Sequence, residues 1–381
     1  MSQCRAYVVT VDNMLQIADQ IQHNHTAVPF IKHVDMFKAK LMDRAKMETT
    51  PIPKIYADEI SNLRKNHNIV PDGLLAEIPH FSAIKTILYR QQHKSLPRLS
   101  QTRQDINLGE WTCTEGGDPF VHRVEGGDLI LIFTTDKNLE LCDADVVLSD
   151  GTFSSAPKLF NQLYTIHAES QGHMFPLVYS LIPNRTEDTY VRTFQYLQEA
   201  CHDLGFHLNP RTFQMDFERS AHNAVQTVFP TTQLRGCFFH YTQCIWRRTQ
   251  KVGLATEYSE NDEIQKVVRR ASTLPMVPLD KIEDVWADTI ADSPQGAQVT
   301  QLMDYVTNTW IEGPLSPEMW NHFGNDSHRT NNHLEGWYHK INKIVQKGHL
   351  NIFEVVGLLK REQSVMEVKM HQLDGHWRAP A

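Results

Sequence analysis

Three acidic residues stand in contexts that suit a metal ligand. Asp150 follows the apolar run Val146-Val147-Leu148 and opens Asp150-Gly151-Thr152-Phe153. Asp216 sits in Phe213-Gln214-Met215-Asp216-Phe217-Glu218, and Glu335 in Asn331-Asn332-His333-Leu334-Glu335-Gly336-Trp337-Tyr338. The first two place a carboxylate at or near the end of a buried strand, and the third opens an amphipathic helical pattern. Two strand-borne aspartates and a helix-borne glutamate can hold two hard divalent cations, Mg2+ or Mn2+. Such a pair suits the cutting and joining of phosphodiesters, whose transition state spreads negative charge over phosphoryl oxygens and is stabilised by positioning and neutralisation. Asp150, on the expected central strand, is the natural bridge between the ions. Each acid also has a plainer reading. Asp150 before glycine is a good turn former, and Glu335 near a helix start is an ordinary solvated acid. Glu218 shares the expected strand face of Asp216, which leaves open which of the two binds.

The elements that must position these residues follow from periodicity. From Ala144 the expected order is three strands (Ala144–Phe153, Gln162–Ala168, Phe175–Ile182), a helix, a strand (Thr212–Phe217), a helix over Ser220–Val228 and a strand (Gln233–Phe239). Tight turns make the first three an antiparallel meander, and crossover helices make the later two parallel. Leu129-Ile130-Leu131-Ile132-Phe133 reads as a further buried strand. Tyr190, Phe194, Leu197, Cys201 and Leu204 form the helix between the third and fourth strands of that order, closed by Gly205. Residues 241–325 read as a helical insertion punctuated by prolines. Beyond it, Leu334, Trp337, Tyr338, Ile341, Ile344 and Val345 form an apolar stripe with Glu335 at its edge. Ahead of the sheet, residues 29–100 read as short helices. Phe37, Leu41 and Ala45 are spaced by four, Ile55, Ile60 and Leu63 share a face with Asp58 and Glu59 outside it, and Phe81, Ile84, Ile87 and Leu88 form another apolar face. The domain reading is therefore 1–28, 29–100, 101–365 and a tail at 366–381.

Bulk composition sets few bounds. Hydrophobic residues make up 41% and charged residues 22%, as in an ordinary globular protein. No run approaches the roughly 18 apolar residues of a membrane span, so no membrane partner is expected. The start Met1-Ser2-Gln3-Cys4-Arg5 lacks an apolar signal region, and six scattered cysteines do not make a disulfide framework, which suits a reducing, intracellular setting. Net charge is −8, unevenly spread. Residues 1–98 carry 13 Lys and Arg against 9 Asp and Glu, a net of +4, leaving −12 for the other 283. A basic, helical, DNA-contacting region ahead of a carboxylate-rich catalytic one fits this split, as does an ordinary solvated surface.

Four motifs in order, Ser149-Asp150-Gly151-Thr152-Phe153, Asp216-Phe217-Glu218, Gly236-Cys237-Phe238-Phe239-His240 and Asn331-Asn332-His333-Leu334-Glu335-Gly336-Trp337, resemble the blocks of MULE (Mutator-like element) transposases over roughly residues 50–365. The resemblance implies an α/β, RNase H-like core of the DDE transposase/integrase kind, with a helical insertion before the glutamate. It implies a catalytic and metal-binding triad of Asp150, Asp216 and Glu335. It also implies DNA partners (terminal inverted repeats and target DNA), a homo-oligomer and a nuclear location. Cys237 and His240, expected on the fifth of those strands, are either half a zinc site completed by Cys244 or His222, or a structural pair beside the active site. The second reading is favoured. Cys4, His23 and His25 resemble the end of a FLYWCH-type zinc finger. With the chain starting three residues before Cys4, three ligands leave a tetrahedral Zn2+ site open, and a frayed tail competes with the finger.

The expected function is a transposase, a divalent-metal-dependent DNA nuclease and strand transferase. Its rival is a domesticated, catalytically silent DNA-binding or transcription-regulatory protein on the same fold. Intact carboxylates at all three places favour the enzyme, since a released site tolerates substitution. A nuclease for RNA–DNA hybrids shares the metal chemistry but not the insertion or the basic front.

Overall fold

The computed structural model describes residues 9–11, 14–16, 30–66, 72–97, 99–325, 336–337, 341 and 350–374. Glu335, Cys4, His23 and His25 lie outside the described residues. The chain divides into two compact units, 1–98 and 99–381.

In the first unit, β1 (Val9–Val11) and β2 (Met14–Gln16) pair antiparallel. Four helices follow: α1 (Ile31–Met47), α2 (Ile52–Asn66), α3 (Asp72–Glu77) and α4 (Phe81–Ser95). Val34, Phe37, Leu41 and Ala45 fall three and four apart on α1, so one stripe is buried. It packs on Ile52, Ile55, Ile84 and Leu88. Pro51 and Pro53 sit at the start of α2, where a missing N–H costs little. Two side chains depart from the sequence reading. Glu59, expected outside the apolar face, is buried, because Arg44 of α1 reaches it at 2.9 Å and a paired charge tolerates burial. Ile87, expected inside, is half exposed at the rim of its stripe.

The second unit is built on a seven-stranded mixed sheet. Its strands are β3 (Val121–Val124), β4 (Ile130–Phe133), β5 (Val146–Thr152), β6 (Gln162–Ser170), β7 (His173–Ile182), β8 (Thr212–Met215) and β9 (Gln233–Gly236), in the spatial order β3-β4-β7-β6-β5-β8-β9. The single-turn helix α5 (Asp136–Leu139) lies between β4 and β5. Strands β5 to β7 form the meander, and β8 and β9 run parallel to β5 after helices α6 (Glu187–Asp203) and α7 (Arg219–Val228). The β6–β7 turn is two residues, Gln171 and Gly172, both at positive φ, the conformation that matches strand twist in a tight hairpin. Strand β3 was not read from the sequence: Val-His-Arg-Val is short, polar and only half buried at the sheet edge.

Alternation along the strands separates two faces. One carries Val147, Ile166, Phe213 and Met215 and is covered by Tyr190, Phe194, Leu197 and Cys201 of α6 and Ala221, Ala224 and Val225 of α7. Thr186 caps α6 through the Thr189 N–H, and Gly205 turns the chain at φ 85° just beyond its end. The opposite face carries Leu148, Asp150, Thr165, His167 and Tyr179, by the registers of β5, β6 and β7. Trp337 is buried here. It stacks on Tyr179 at 5.5 Å, meets His167 edge-on at 6.1 Å, and donates its Nε1–H to Glu362. Glu362 belongs to the long helix α14 (Ile352–Asp374), which runs on past residue 365.

Between β9 and residue 325 the chain is helical: α8 (Phe238–Lys251), α9 (Ala255–Glu260), α10 (Asp262–Thr273), α11 (Ile282–Ala291), α12 (Ala297–Val306), a π turn at Thr307–Ile311 and α13 (Pro317–Trp320). These share their own core around Tyr241, Ile245, Val268, Trp286, Trp310 and Trp320. The fifth strand of the sequence reading was drawn too long. It ends at Gly236, so Cys237 is the N-cap of α8 and His240 lies in its first turn.

Candidate active site

Strand β5 pairs in parallel with β8 through Val146↔Thr212, Val147↔Phe213 and Leu148↔Gln214. Two residues further on each chain, Asp150 comes level with Asp216, the first residue beyond β8. Parallel partners project to one face, so this register puts both aspartates at the C-terminal edge of adjacent strands, where open α/β sheets bind their ligands. Asp150 is 7% exposed. The structure thus brings together two acids that stand 66 residues apart in the chain.

Backbone groups orient both carboxylates. The Gly151 N–H donates to Asp150 Oδ1 (2.7 Å), and the Glu218 N–H donates to Asp216 Oδ1 (3.2 Å). His222 holds the Asp216 carbonyl through Nε2 (2.6 Å). His240 presents Nε2 to Asp150 Oδ1 at 3.9 Å. Burial pushes the His240 imidazole below its ordinary pKa, the Asp216 charge opposes that shift, and Arg247 adds to it. A largely neutral imidazole therefore borders the acid pair. Its Nδ1 is buried without a hydrogen-bond partner among the described residues.

Glu218 does not share a strand face with Asp216. Because β8 stops at Met215, the chain has turned by Glu218, which occupies the N-cap position of α7. Its carboxylate lies 3.0 Å from the Tyr190 hydroxyl and 3.5 Å from Arg185 Nε. Burial raises the Glu218 pKa and the Asp216 charge adds to this, against the lowering effects of Arg185 and Tyr190. The Tyr190 hydroxyl is also 3.0 Å from Gln162 Oε1, so its one proton serves one acceptor at a time. The buried Gln162 side chain crosses Gly151, where any Cβ would collide with its amide. Glycine follows Asp150 for that reason. Sequence reasoning misses Gln162, Arg185 and Tyr190 because Arg185 and Tyr190 meet Glu218, and Gln162 meets Tyr190, across gaps of about 30 residues with no periodic signal.

The zinc option for Cys237 and His240 finds no third ligand among the described residues, where no group of three His, Cys, Asp or Glu side chains is arranged to hold a metal. The two partners named for it are engaged elsewhere: His222 on the Asp216 carbonyl, and the Cys244 thiol on the Tyr305 hydroxyl. Cys237 is buried, and its N–H extends the β8–β9 ladder to Met215.

A mixed α/β sheet with two aspartates at the ends of its central parallel strands is the class of structure here. Residues 146–244 match the family model of the MULE transposase domain. The match runs from the first residue of β5 into α8, contains Asp150, Asp216, Cys237 and His240, and points to a transposase-related function. No curated protein matches the chain.

Proposed function

We propose that this chain is a DDE-type transposase with an RNase H-like core, cleaving DNA at element ends and transferring the strand to target DNA. The observation that carries the reading is the β5–β8 register, which sets Asp150 beside Asp216 within the segment that matches the transposase family. The donor set fits Mg2+ or Mn2+, hard cations that take carboxylate oxygens and keep several waters. Asp150 and Asp216, with Glu335, would hold the ions. The bound ions would polarise phosphoryl oxygen and lower the pKa of water.

The protein's own groups supply the rest. The N–H groups of Gly151 and Glu218 aim the carboxylates, and His222 fixes the turn that carries Asp216. His240 stands ready as a neutral hydrogen-bonding group toward a phosphate held at Asp150. Trp337, anchored on Tyr179 and Glu362, packs on the same face of the sheet as Asp150. The helices of residues 29–100 serve as a DNA-contacting region, and the protein acts in the nucleus as a homo-oligomer.

The test joins Mn2+ titration calorimetry to cleavage of a plasmid carrying the element ends. Wild type should bind Mn2+ and cut, and Asp150→Asn should weaken Mn2+ binding at least about tenfold and abolish cutting. Metal-dependent cutting retained by Asp150→Ala would sink the assignment.

A further inference from the structure

Helix α8 carries charge of one sign. Its residues Phe238–Lys251 include Arg247, Arg248 and Lys251 and no Asp or Glu. Residues 99–381 hold a net charge of −12, so this all-cationic helix runs against its surroundings. Arg248 is used by the protein itself: its Nη2 donates to the Gln301 carbonyl and its guanidinium lies over the Tyr305 ring. Arg247 and Lys251 are exposed, and among the described residues neither forms an ion pair with an acid.

Helix geometry sets where these two stand. They follow His240 by seven and eleven residues, which at about 100° per residue puts each within about 20° of its direction. His240, Arg247 and Lys251 therefore form one line, the cations lying about 10 and 16 Å further along the axis. His240 reaches to 3.9 Å from Asp150 Oδ1, so the line begins at the acid pair. Cys244, half-buried on the same side of α8, feels both ends of it. Burial leads in pushing its thiol pKa up, Arg247 opposes that shift and Asp216 adds to it.

A lone exposed Arg or Lys is ordinary solvated surface. Two in line with the acid pair, on a helix without a compensating carboxylate, form a surface suited to a polyanion. The carboxylates themselves repel DNA, so a strand brought to them needs positive charge close by. One strand of a duplex presents a phosphate about every 3.4 Å of axis, so steps of about 10 and 16 Å span about three and five nucleotides.

We propose that the Arg247–Lys251 face of α8 holds backbone phosphates of the DNA strand that passes Asp150, about three and five nucleotides from it. This rests on the nuclease reading above and adds where its substrate lies. Phosphate contacts carry no sequence information, so α8 positions the strand without selecting it.

The test is fluorescence anisotropy with the full chain in Ca2+, using a labelled duplex of arbitrary sequence over a series of KCl concentrations. The logarithm of affinity should fall linearly with that of salt, and Arg247→Gln/Lys251→Gln should flatten the slope by about two, one for each phosphate lost. Arg247→Lys/Lys251→Arg keeps both charges and should keep the slope. Lys266→Gln/Lys281→Gln removes the same charge from exposed side chains that pair with Asp292 and Asp284, and it should leave the slope unchanged. An unaltered slope in Arg247→Gln/Lys251→Gln, an equal flattening in Lys266→Gln/Lys281→Gln, or no binding by wild type would overturn the proposal. Flattening in a protein that fails the cleavage test would sustain the α8 contact and sink the nuclease reading. Cleavage by wild type with no flattening would do the reverse, so the two fail separately.

Discussion

Acidic side chains gather in both units, on opposite terms. In the helical unit Glu48, Asp58 and Glu59 converge on Arg44, at 2.6, 3.5 and 2.9 Å. The hydrogen bond that Arg44 donates to Glu48 leads in raising the guanidinium pKa above its ordinary value, and Glu59 adds to it. In the sheet unit Asp150 and Asp216 lie side by side, with a histidine whose protonation burial disfavours within ion-pair distance of Asp150. Among the described residues no Lys or Arg forms an ion pair with Asp216, and a backbone N–H aims its carboxylate. An arginine satisfies acids on the protein's own account and so supports the fold. An amide fixes a carboxylate's direction without cancelling its charge, which is what a site for an external cation needs.

Exchanging one residue in each cluster should separate the two roles. Asp216→Ala should cut metal-dependent cleavage about a thousandfold or more while the melting temperature holds or rises, because a repelling pair is relieved. A matching fall in stability would erase the contrast. Arg44→Ala should do the reverse, costing roughly 2–3 kcal/mol in urea unfolding. Glu59 is left buried without its partner, and the value stays below that of a fully buried pair because Arg44 is partly open to solvent. Arg44→Leu with Glu59→Leu should recover much of that loss, and no recovery would show that packing, not charge, was at stake.

A third effect belongs to the sheet unit alone. Burial pushes the His167 imidazole down to about 3, so the folded protein holds it neutral while the unfolded chain takes up a proton below about 6.5. Stability therefore falls as pH drops through that window, by about 2 kcal/mol at pH 5 relative to neutral pH. His167→Phe should flatten this slope in urea titrations at the two pH values, and an unchanged slope would assign it elsewhere. A fourth effect, of similar size, is at Gly151. Gly151→Ala should cost about 1–3 kcal/mol by pushing on Gln162, and Gln162→Ala in the same chain should make the two costs less than additive. Strict additivity would mean that the two side chains do not meet.

Much of this protein is legible in one dimension. The order of strands and helices from β5 to β9, the buried stripe of α1, and Asp150 and Asp216 as candidates all follow from local pattern, because side-chain period and turn residues are properties of short stretches. The overlong fifth strand shows the limit of such patterns. Gln-Leu-Arg-Gly-Cys-Phe-Phe reads as one strand, and nothing local says that the chain turns into a helix after Gly236. Glu218 was placed on the strand face of Asp216 by the same counting, and the early end of β8 sends it instead to Tyr190 and Arg185. Glu59 looked solvated until Arg44, 15 residues earlier, proved to reach it. What the sequence determined by itself is which elements exist and which side chains could do chemistry. Only the tertiary structure decided which of those side chains meet. Strand register and long-range pairing set those meetings, and neither leaves a periodic trace in the chain.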